Sequence, residues 1–167
     1  MSLSMHRASV PVFIRGLRAL SGLLSKAEAH AQAKGVAAEQ LLTARLAPDM
    51  LDLTAQIQRV SDTSKLSGSR LSGAPAPSMP DEEKSFAELQ ARIAATIAYL
   101  EGLDPAAFEG ADARTVPMKF GPQEISFTGE DYLFNFALPN FYFHLSIAHG
   151  ILRNQGVEVG KRDFLGA

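Results

Sequence analysis

The stretch from Thr128 to Gly156, TGEDYLFNFALPNFYFHLSIAHGILRNQG, decides the fold class of this chain. Thr128 with Asp131 three positions later is a helix start signal, and Gly156 is a stop signal. At about 100° per residue, the apolar side chains within about 60° of Asn140 form one stripe. They are Leu133, Phe136, Ala137, Ile147 and Ile151. This pattern predicts a long, deeply buried helix.

Asn140 and His144 lie one turn apart on that stripe. A buried polar side chain without a partner costs roughly 1–3 kcal/mol, so something must face each of them. Asp49 and Gln56 lie on one flank of the predicted second helix. We therefore expect a small polar ligand pocket built from Asp49, Gln56, Asn140 and His144. The alternative is a core histidine bonded to a neighbour, with the asparagine bonded to backbone groups freed near Pro139.

The opposite side of the last helix carries a second apolar stripe. Its members are Phe134, Leu138, Phe141, Leu145 and Leu152. A helix that is apolar nearly all round is fully enclosed. This pattern favours a homodimer through the last helix, and the alternative is that the hairpin and the C-terminal tail cover the stripe.

Three further long helices are indicated upstream. The first runs from Ser4 to Lys34, and a short helical piece covers Ala37 to Arg45. The second long helix begins near Pro48 and fades through the Gly/Ser-rich segment Leu66–Gly73. The third begins at a capping box, Ser85 with Glu88 three positions later, and ends at Asp104.

Alternating apolar residues between positions 116 and 127, interrupted by Gly121 and Pro122, predict a small β-hairpin before the last helix. The predicted fold is therefore all-α, an antiparallel four-helix bundle with one hairpin. Residues 1–167 are expected to form one domain, since that length suits a single core.

Composition narrows the classes of partner. The net charge is −2 and the 16 Lys and Arg residues are scattered, which argues against nucleic-acid binding. The absence of cysteine excludes disulfides and thiolate metal sites, and fits a cytoplasmic protein. Residues 132–152 carry no formal charge, but asparagine, proline and histidine within them argue against a membrane span.

Four segments carry a resemblance to a known family. They are MSLSM (1–5), APDM (47–50), FALPNFYFH (136–144) and GKRDFLG (160–166). In these segments the chain resembles a bacterial family known as a domain of unknown function, within the DinB/YfiT-like superfamily. The resemblance implies a DinB-like four-helix bundle over essentially the whole chain.

Many members of that superfamily bind a divalent metal through three histidines, one on the second helix and two on the last. The resemblance, anchored by Leu152, Arg153 and Gly156, places His144 at the last of these positions and Asn140 at the one before it. Gln56 or a close neighbour takes the second-helix position. Because amide oxygens are weak ligands for zinc or nickel, the implied metal site is degenerate, with His144 as its one imidazole.

Three functions follow as hypotheses. The first is a bundle with a small-molecule pocket and no resident cofactor; weak binding of a divalent metal is the alternative within this hypothesis. The second is a metal-dependent hydrolase or thiol transferase that uses His144 as a ligand. The third is a non-catalytic structural or partner-binding dimer. Whether the protein is an enzyme is undecided at this level.

Overall fold

The computed structural model describes residues 4–166, apart from the side chain of Phe120. Helices account for most of this range: α1 Met5–Lys34, α2 Ala38–Leu42, α3 Leu53–Ser72, α4 Phe86–Glu101, α5 Gly129–Asp131, α6 Leu138–Asn154 and α7 Lys161–Leu165. A 3-10 turn, Pro105–Phe108, and two strands, β1 Thr115–Phe120 and β2 Gln123–Thr128, lie between α4 and α5. A π-helical turn, Tyr132–Ala137, joins α5 to α6. A mostly helical fold with a hairpin before the last helices is confirmed.

The long helices share one apolar core. Helix α1 packs against α3, α4 and α6, and α3 packs against α4 and α6. Fully buried side chains from each of them meet there, among them Leu17, Ile57, Leu89 and Phe141. None of the helices in the described range is both long enough and apolar enough to cross a membrane.

The predicted ends of α1 and the predicted start of α4 agree with the structure, whereas α4 ends at Glu101 rather than at Asp104. The Ser4 hydroxyl accepts a hydrogen bond from the N–H of Arg7, and Gly35 ends the helix in the left-handed conformation. The Ser85 hydroxyl accepts from the N–H of Glu88. Each side chain satisfies a backbone group that the first helical turn leaves without a partner.

The start of α3 is a correction. The helix begins at Leu53 rather than near Pro48, because the carboxylate of Asp52 caps it by accepting from the N–H of Ala55 at 2.9 Å. The Asp52 side chain satisfies a backbone N–H of the first helical turn, whereas Pro48 has no N–H to satisfy and forms no such bond. Asp52 is therefore the stronger signal for the start of a helix. Asp49 consequently lies in an exposed turn before the helix, not on its flank.

The end of α3 is a second correction, since the helix does not fade but continues to Ser72. The hydroxyls of Ser67 and Ser72 donate to the carbonyls of Thr63 and Gly68, four residues earlier. A Cβ on Gly68 would lie 2.8 Å from a methyl of Leu103. Small residues here let α3 approach the end of α4 closely, and this packing outweighs their low helix propensity.

The hairpin has the predicted positions and turn. Strand β1 pairs with β2 in antiparallel register, with Val116 opposite Phe127 and Met118 opposite Ile125. A two-residue turn of Gly121 and Pro122 joins them, and Gly121 has φ of 59°, which glycine adopts at little cost. Val116 and Met118 point into the core.

The buried face of the last helix differs from the predicted one. The enclosed side chains of α6 are Phe141, Leu145, Ala148, Ile151 and Leu152, whereas Asn140 and His144 are half-buried on the edge of that face. The cause is the π-helical turn, which winds more residues per turn and shifts the phase of the helix after it. Pro139 permits the π-helical turn, since proline lacks the N–H that an α-helix would offer to the carbonyl of Asn135.

The second apolar stripe is therefore mostly core, and placing it at a dimer surface was wrong. Phe141, Leu145 and Leu152 are fully buried within the chain. The Phe141 ring packs edge-on against that of Phe13 on α1 at 5.0 Å. Of the five members, Phe134 is exposed. The homodimer stays a prediction, but the apolar stripe that suggested it is used for packing within the chain.

Candidate functional site

His144 is the centre of the candidate site, which lies along the contact between α3 and α6. Its Nδ1 is 2.7 Å from Oε1 of Gln56. The amide of Gln56 is held from its other end, because Nε2 donates to the carbonyl of Leu51 at 3.1 Å. Gln56 is almost fully buried, whereas the imidazole is half-buried beside the ring of Phe143.

This arrangement fixes the state of the imidazole. Since Nε2 of Gln56 is committed to Leu51, Oε1 faces His144 and can only accept, so the proton resides on Nδ1. Burial lowers the pKa of His144 below its ordinary 6.5, and the charge of Arg59 lowers it further. The ring is therefore neutral at pH 7, with a lone pair on Nε2 that no hydrogen bond within the described residues engages.

Asn140 bonds a different residue of α3. Its Nδ2 donates to Oγ1 of Thr63 at 2.8 Å, and its carbonyl oxygen remains as an acceptor. Gln56 pairs with His144 and Thr63 with Asn140, so α3 and α6 run antiparallel. We call these four residues the α3–α6 seam.

The same line of polar contacts continues beyond the seam to Tyr132, which is fully buried. The Tyr132 hydroxyl lies 3.0 Å from Oγ of Ser67 and accepts from the guanidinium of Arg70 at 3.0 Å. The Ser67 hydroxyl gives its proton to the carbonyl of Thr63, so Tyr132 donates to Ser67. Every member is satisfied, which indicates a structural role.

The structure brings three of the four predicted site residues together. Gln56, Asn140 and His144 lie along one helix contact, as predicted. Asp49 is separated from them, because the exposed turn before α3 does not carry it to the seam. The sequence pattern missed Thr63, whose hydroxyl is the partner of Asn140; its spacing of seven residues from Gln56 was the available signal.

The seam does not fit the transition metal that the superfamily resemblance implies. Its donors are one imidazole and two amides, and Gln56 Oε1 is hydrogen-bonded to His144 at 2.7 Å. Zinc sites in proteins are built from imidazole, thiolate or carboxylate ligands, at least three of them at a catalytic site, and the seam supplies one. Within residues 4–166, no three His, Asp or Glu side chains are grouped to hold a metal ion.

A buried arginine on α4 is the largest feature that the sequence pattern missed. The side chain of Arg92 is 2% exposed and pairs with Asp62, Asp81 and Glu83 at 2.8–3.0 Å. Its Nε donates to Oγ of Ser61. These contacts fasten the proline-containing loop 74–85 across α3 and α4.

The contact with Arg92 favours the ionised form of Glu83. Burial by itself raises the pKa of Glu83, but hydrogen bonds from Arg92 and Gln58 outweigh it and leave the pKa below the ordinary 4.5. Arg92 occupies a position between Leu89 and Leu100 that periodicity alone assigns to the polar edge. Nothing in a single sequence reports that three acids from other segments converge on it.

Comparison with known proteins agrees with this fold. Residues 5–165 match the family described as a domain of unknown function (DUF1993). The chain is also similar to a DinB family member from Shewanella denitrificans of known crystal structure, with 40% identity and a TM-score of 0.89. That similarity covers 98% of this chain and 92% of the other. No curated protein matches significantly. The chain belongs to the DUF1993 family of DinB-like helical proteins.

Proposed function

We propose that this protein is a DinB-like antiparallel four-helix bundle that binds a small polar molecule at the α3–α6 seam. The observation that carries the proposal is the hydrogen bond from Nδ1 of His144 to Gln56 at 2.7 Å. It holds the neutral imidazole in one orientation and leaves Nε2 as an acceptor at the edge of the buried face. Fixed, half-buried polar groups of this kind are what orient a small ligand.

The neighbouring groups define the ligand chemistry. Nε2 of His144 and the carbonyl oxygen of Asn140 are both acceptors, so the ligand must bring N–H, O–H or S–H donors. Arg59, whose charge lowers the pKa of His144, is already paired with Asp62 at 3.3 Å and with Asp81. A neutral alcohol, amide or thiol therefore suits the seam better than an anion.

The proposal includes no tightly bound transition metal, because the seam offers one imidazole and two amide side chains as donors. A binding role is proposed rather than catalysis. No nucleophile with its base is brought together at the seam. The cytoplasmic location predicted from composition stays a prediction.

The test follows the imidazole nitrogens of His144 by NMR while small alcohols, amides and thiols are titrated into the protein. We expect at least one class to move the Nε2 resonance of His144 saturably. His149 is the internal control, because its Nε2 lies 3.2 Å from the carbonyl of Gly160 and is already engaged. The Gln56→Leu variant should bind at least about tenfold more weakly, since losing one oriented hydrogen bond amounts to about 1.4 kcal/mol.

A second arm adds Zn²⁺ or Ni²⁺ in place of the fragments. Weak or no uptake is expected. One metal ion per chain, bound tightly and lost in His144→Gln, would replace the proposal with the metal-dependent hydrolase or thiol transferase. Failure of every fragment and of both metals to perturb His144 would leave the seam as packing alone.

A further inference from the structure

A groove on the other side of α1 is independent of the seam. It lies between α1, the end of α4, the 3-10 turn and α7, and it encloses about 810 Å³. Sites for small organic ligands commonly measure some 300–1,000 Å³. We call it the α1 groove.

The floor of the α1 groove is apolar. Val10, Ile14 and Ala19 line it from α1, and Leu100 and Leu103 line it from the end of α4. Ala19 is buried, and the other four side chains belong to the core or pack against it, so the floor is firm. Such a surface favours hydrocarbon over polar groups.

The charges along the groove are uneven. Arg18 pairs with Glu101 at 2.8 Å and Lys26 pairs with Asp163 at 2.5 Å. Arg15 donates instead to the carbonyl of Leu165 and to the hydroxyl of Tyr142. No carboxylate in the described part of the chain forms an ion pair with Arg15, so its charge is unbalanced.

Gly22 lies on the groove wall in the interior of α1, where glycine is less stable than alanine. Packing explains the other glycines inside long helices of the described range: a Cβ on Gly16 would lie 2.5 Å from the Phe141 ring, and Gly68 and Gly150 also have close neighbours. A Cβ on Gly22 would meet no described atom of a distant residue within 4 Å. The glycine is not needed for packing, and its effect is to leave the middle of the groove open.

We propose that the α1 groove binds an aliphatic carboxylate, with the hydrocarbon chain on the apolar floor across Gly22 and the carboxylate on Arg15. The guanidinium has the forked geometry that matches a carboxylate. One unbalanced cation is neutralised by a monoanion, whereas a phosphate dianion would leave a negative charge against an apolar floor. From Arg15 to Lys26 the helix rises about 16 Å, which is room for an extended chain.

The test uses the full chain and isothermal titration calorimetry with dodecanoate and dodecanol below their micelle concentrations. We expect one dodecanoate per chain, bound about tenfold more tightly than dodecanol, because a charge-assisted hydrogen bond is involved. Arg15→Gln should remove that preference while leaving dodecanol binding unchanged. Gly22→Leu should weaken both ligands at least about tenfold by filling the groove.

Gln32→Leu is the matched control, since it adds the same side chain to an exposed position of α1 away from this groove. It should bind as the unaltered protein does, and a thermal melt checks that each variant is folded. Unsaturable binding, equal affinity for the acid and the alcohol, or unchanged binding by Gly22→Leu would each overturn the proposal. The outcome does not depend on the seam, because His144 and Gln56 do not line the groove.

Discussion

Gln56 on α3 and His144 on α6 join their side chains across two helices, with Oε1 2.7 Å from Nδ1. The carbonyl of Leu51 holds the other end of the glutamine amide, so the direction of the bond is set by the backbone. The sequence required that something face this histidine, and one partner is a side chain of the protein itself. The pair leaves a single lone pair open, on Nε2, so this nitrogen is the one atom of the imidazole that can still accept from a ligand.

The first prediction concerns the protonation of His144. Its folded pKa lies below the ordinary 6.5, because burial and then Arg59 disfavour the charged ring. We expect an NMR titration midpoint below 6.5 and, in the neutral form, a nitrogen spectrum with the proton on Nδ1. In Gln56→Leu the Nδ1 proton loses its acceptor, so the ring should shift toward the Nε2–H form that prevails in water. A proton on Nε2 in the unaltered protein would contradict the bond direction.

The lowered pKa of His144 also predicts a dependence of stability on pH. Between the folded pKa and 6.5 the unfolded chain binds the proton and the folded chain does not, so stability rises with pH in that window. The contribution is complete above 6.5 and is lost as the pH falls below it. Urea unfolding of the protein and of His144→Gln between pH 5 and 8 measures it, and the variant should show the smaller slope.

The third prediction concerns Arg92. Replacing it by methionine leaves the partly buried carboxylate of Glu83 without its cation and removes one of the cations around Asp62, so Arg92→Met should lower the free energy of unfolding by about 3 kcal/mol. Arg18→Met is the matched control, because its ion pair with Glu101 is exposed and contributes at most about 1 kcal/mol. Equal losses of unfolding free energy in the two variants, measured with urea, would show that the buried ion pairs of Arg92 contribute no more than an exposed one.

Acid stability should depend on Glu83. Burial raises its pKa, but the hydrogen bonds from Arg92 and Gln58 lower it more, so the folded value lies below 4.5. The stability from this group is present above 4.5 and is lost as the pH falls through the folded pKa. Glu83→Gln should be less stable at pH 7 and should lose less of its stability between pH 5 and 3. A parallel decline of both proteins would refute the assignment.

The final prediction compares two glycines of α1. Gly22→Ala should raise the free energy of unfolding by about 1 kcal/mol, because the methyl group meets open space and alanine favours the helix. Gly16→Ala should destabilise by about 1–3 kcal/mol instead, because its Cβ would lie 2.5 Å from the fully buried ring of Phe141. Thermal and urea unfolding of both variants measure these two changes in stability. Destabilisation by Gly22→Ala would mean that the position is packed after all.

Local chemistry was enough to predict much of the fold. Ser4, Ser85 and Thr128 mark helix starts by bonding a backbone N–H three residues away, and such short-range contacts are readable from the chain. The hairpin is equally local, with Gly121 and Pro122 between two alternating strands. The grouping of Gln56 with His144 was accessible because helical periodicity puts each of them beside the apolar stripe of its helix, and apolar stripes pack against each other.

The sequence by itself determined the helical class, the hairpin and the presence of an amide and an imidazole one turn apart on the last helix. Tertiary structure decided which way that helix faces, since the π-helical turn before Pro139 moves Phe141 into the core and Asn140 to its edge. It also decided that Arg92 is buried and that Asp49 is not part of the seam. The physical reason is the range of the interactions: caps and turns act over a few residues, whereas burial and ion pairing depend on segments that meet only when the chain has folded.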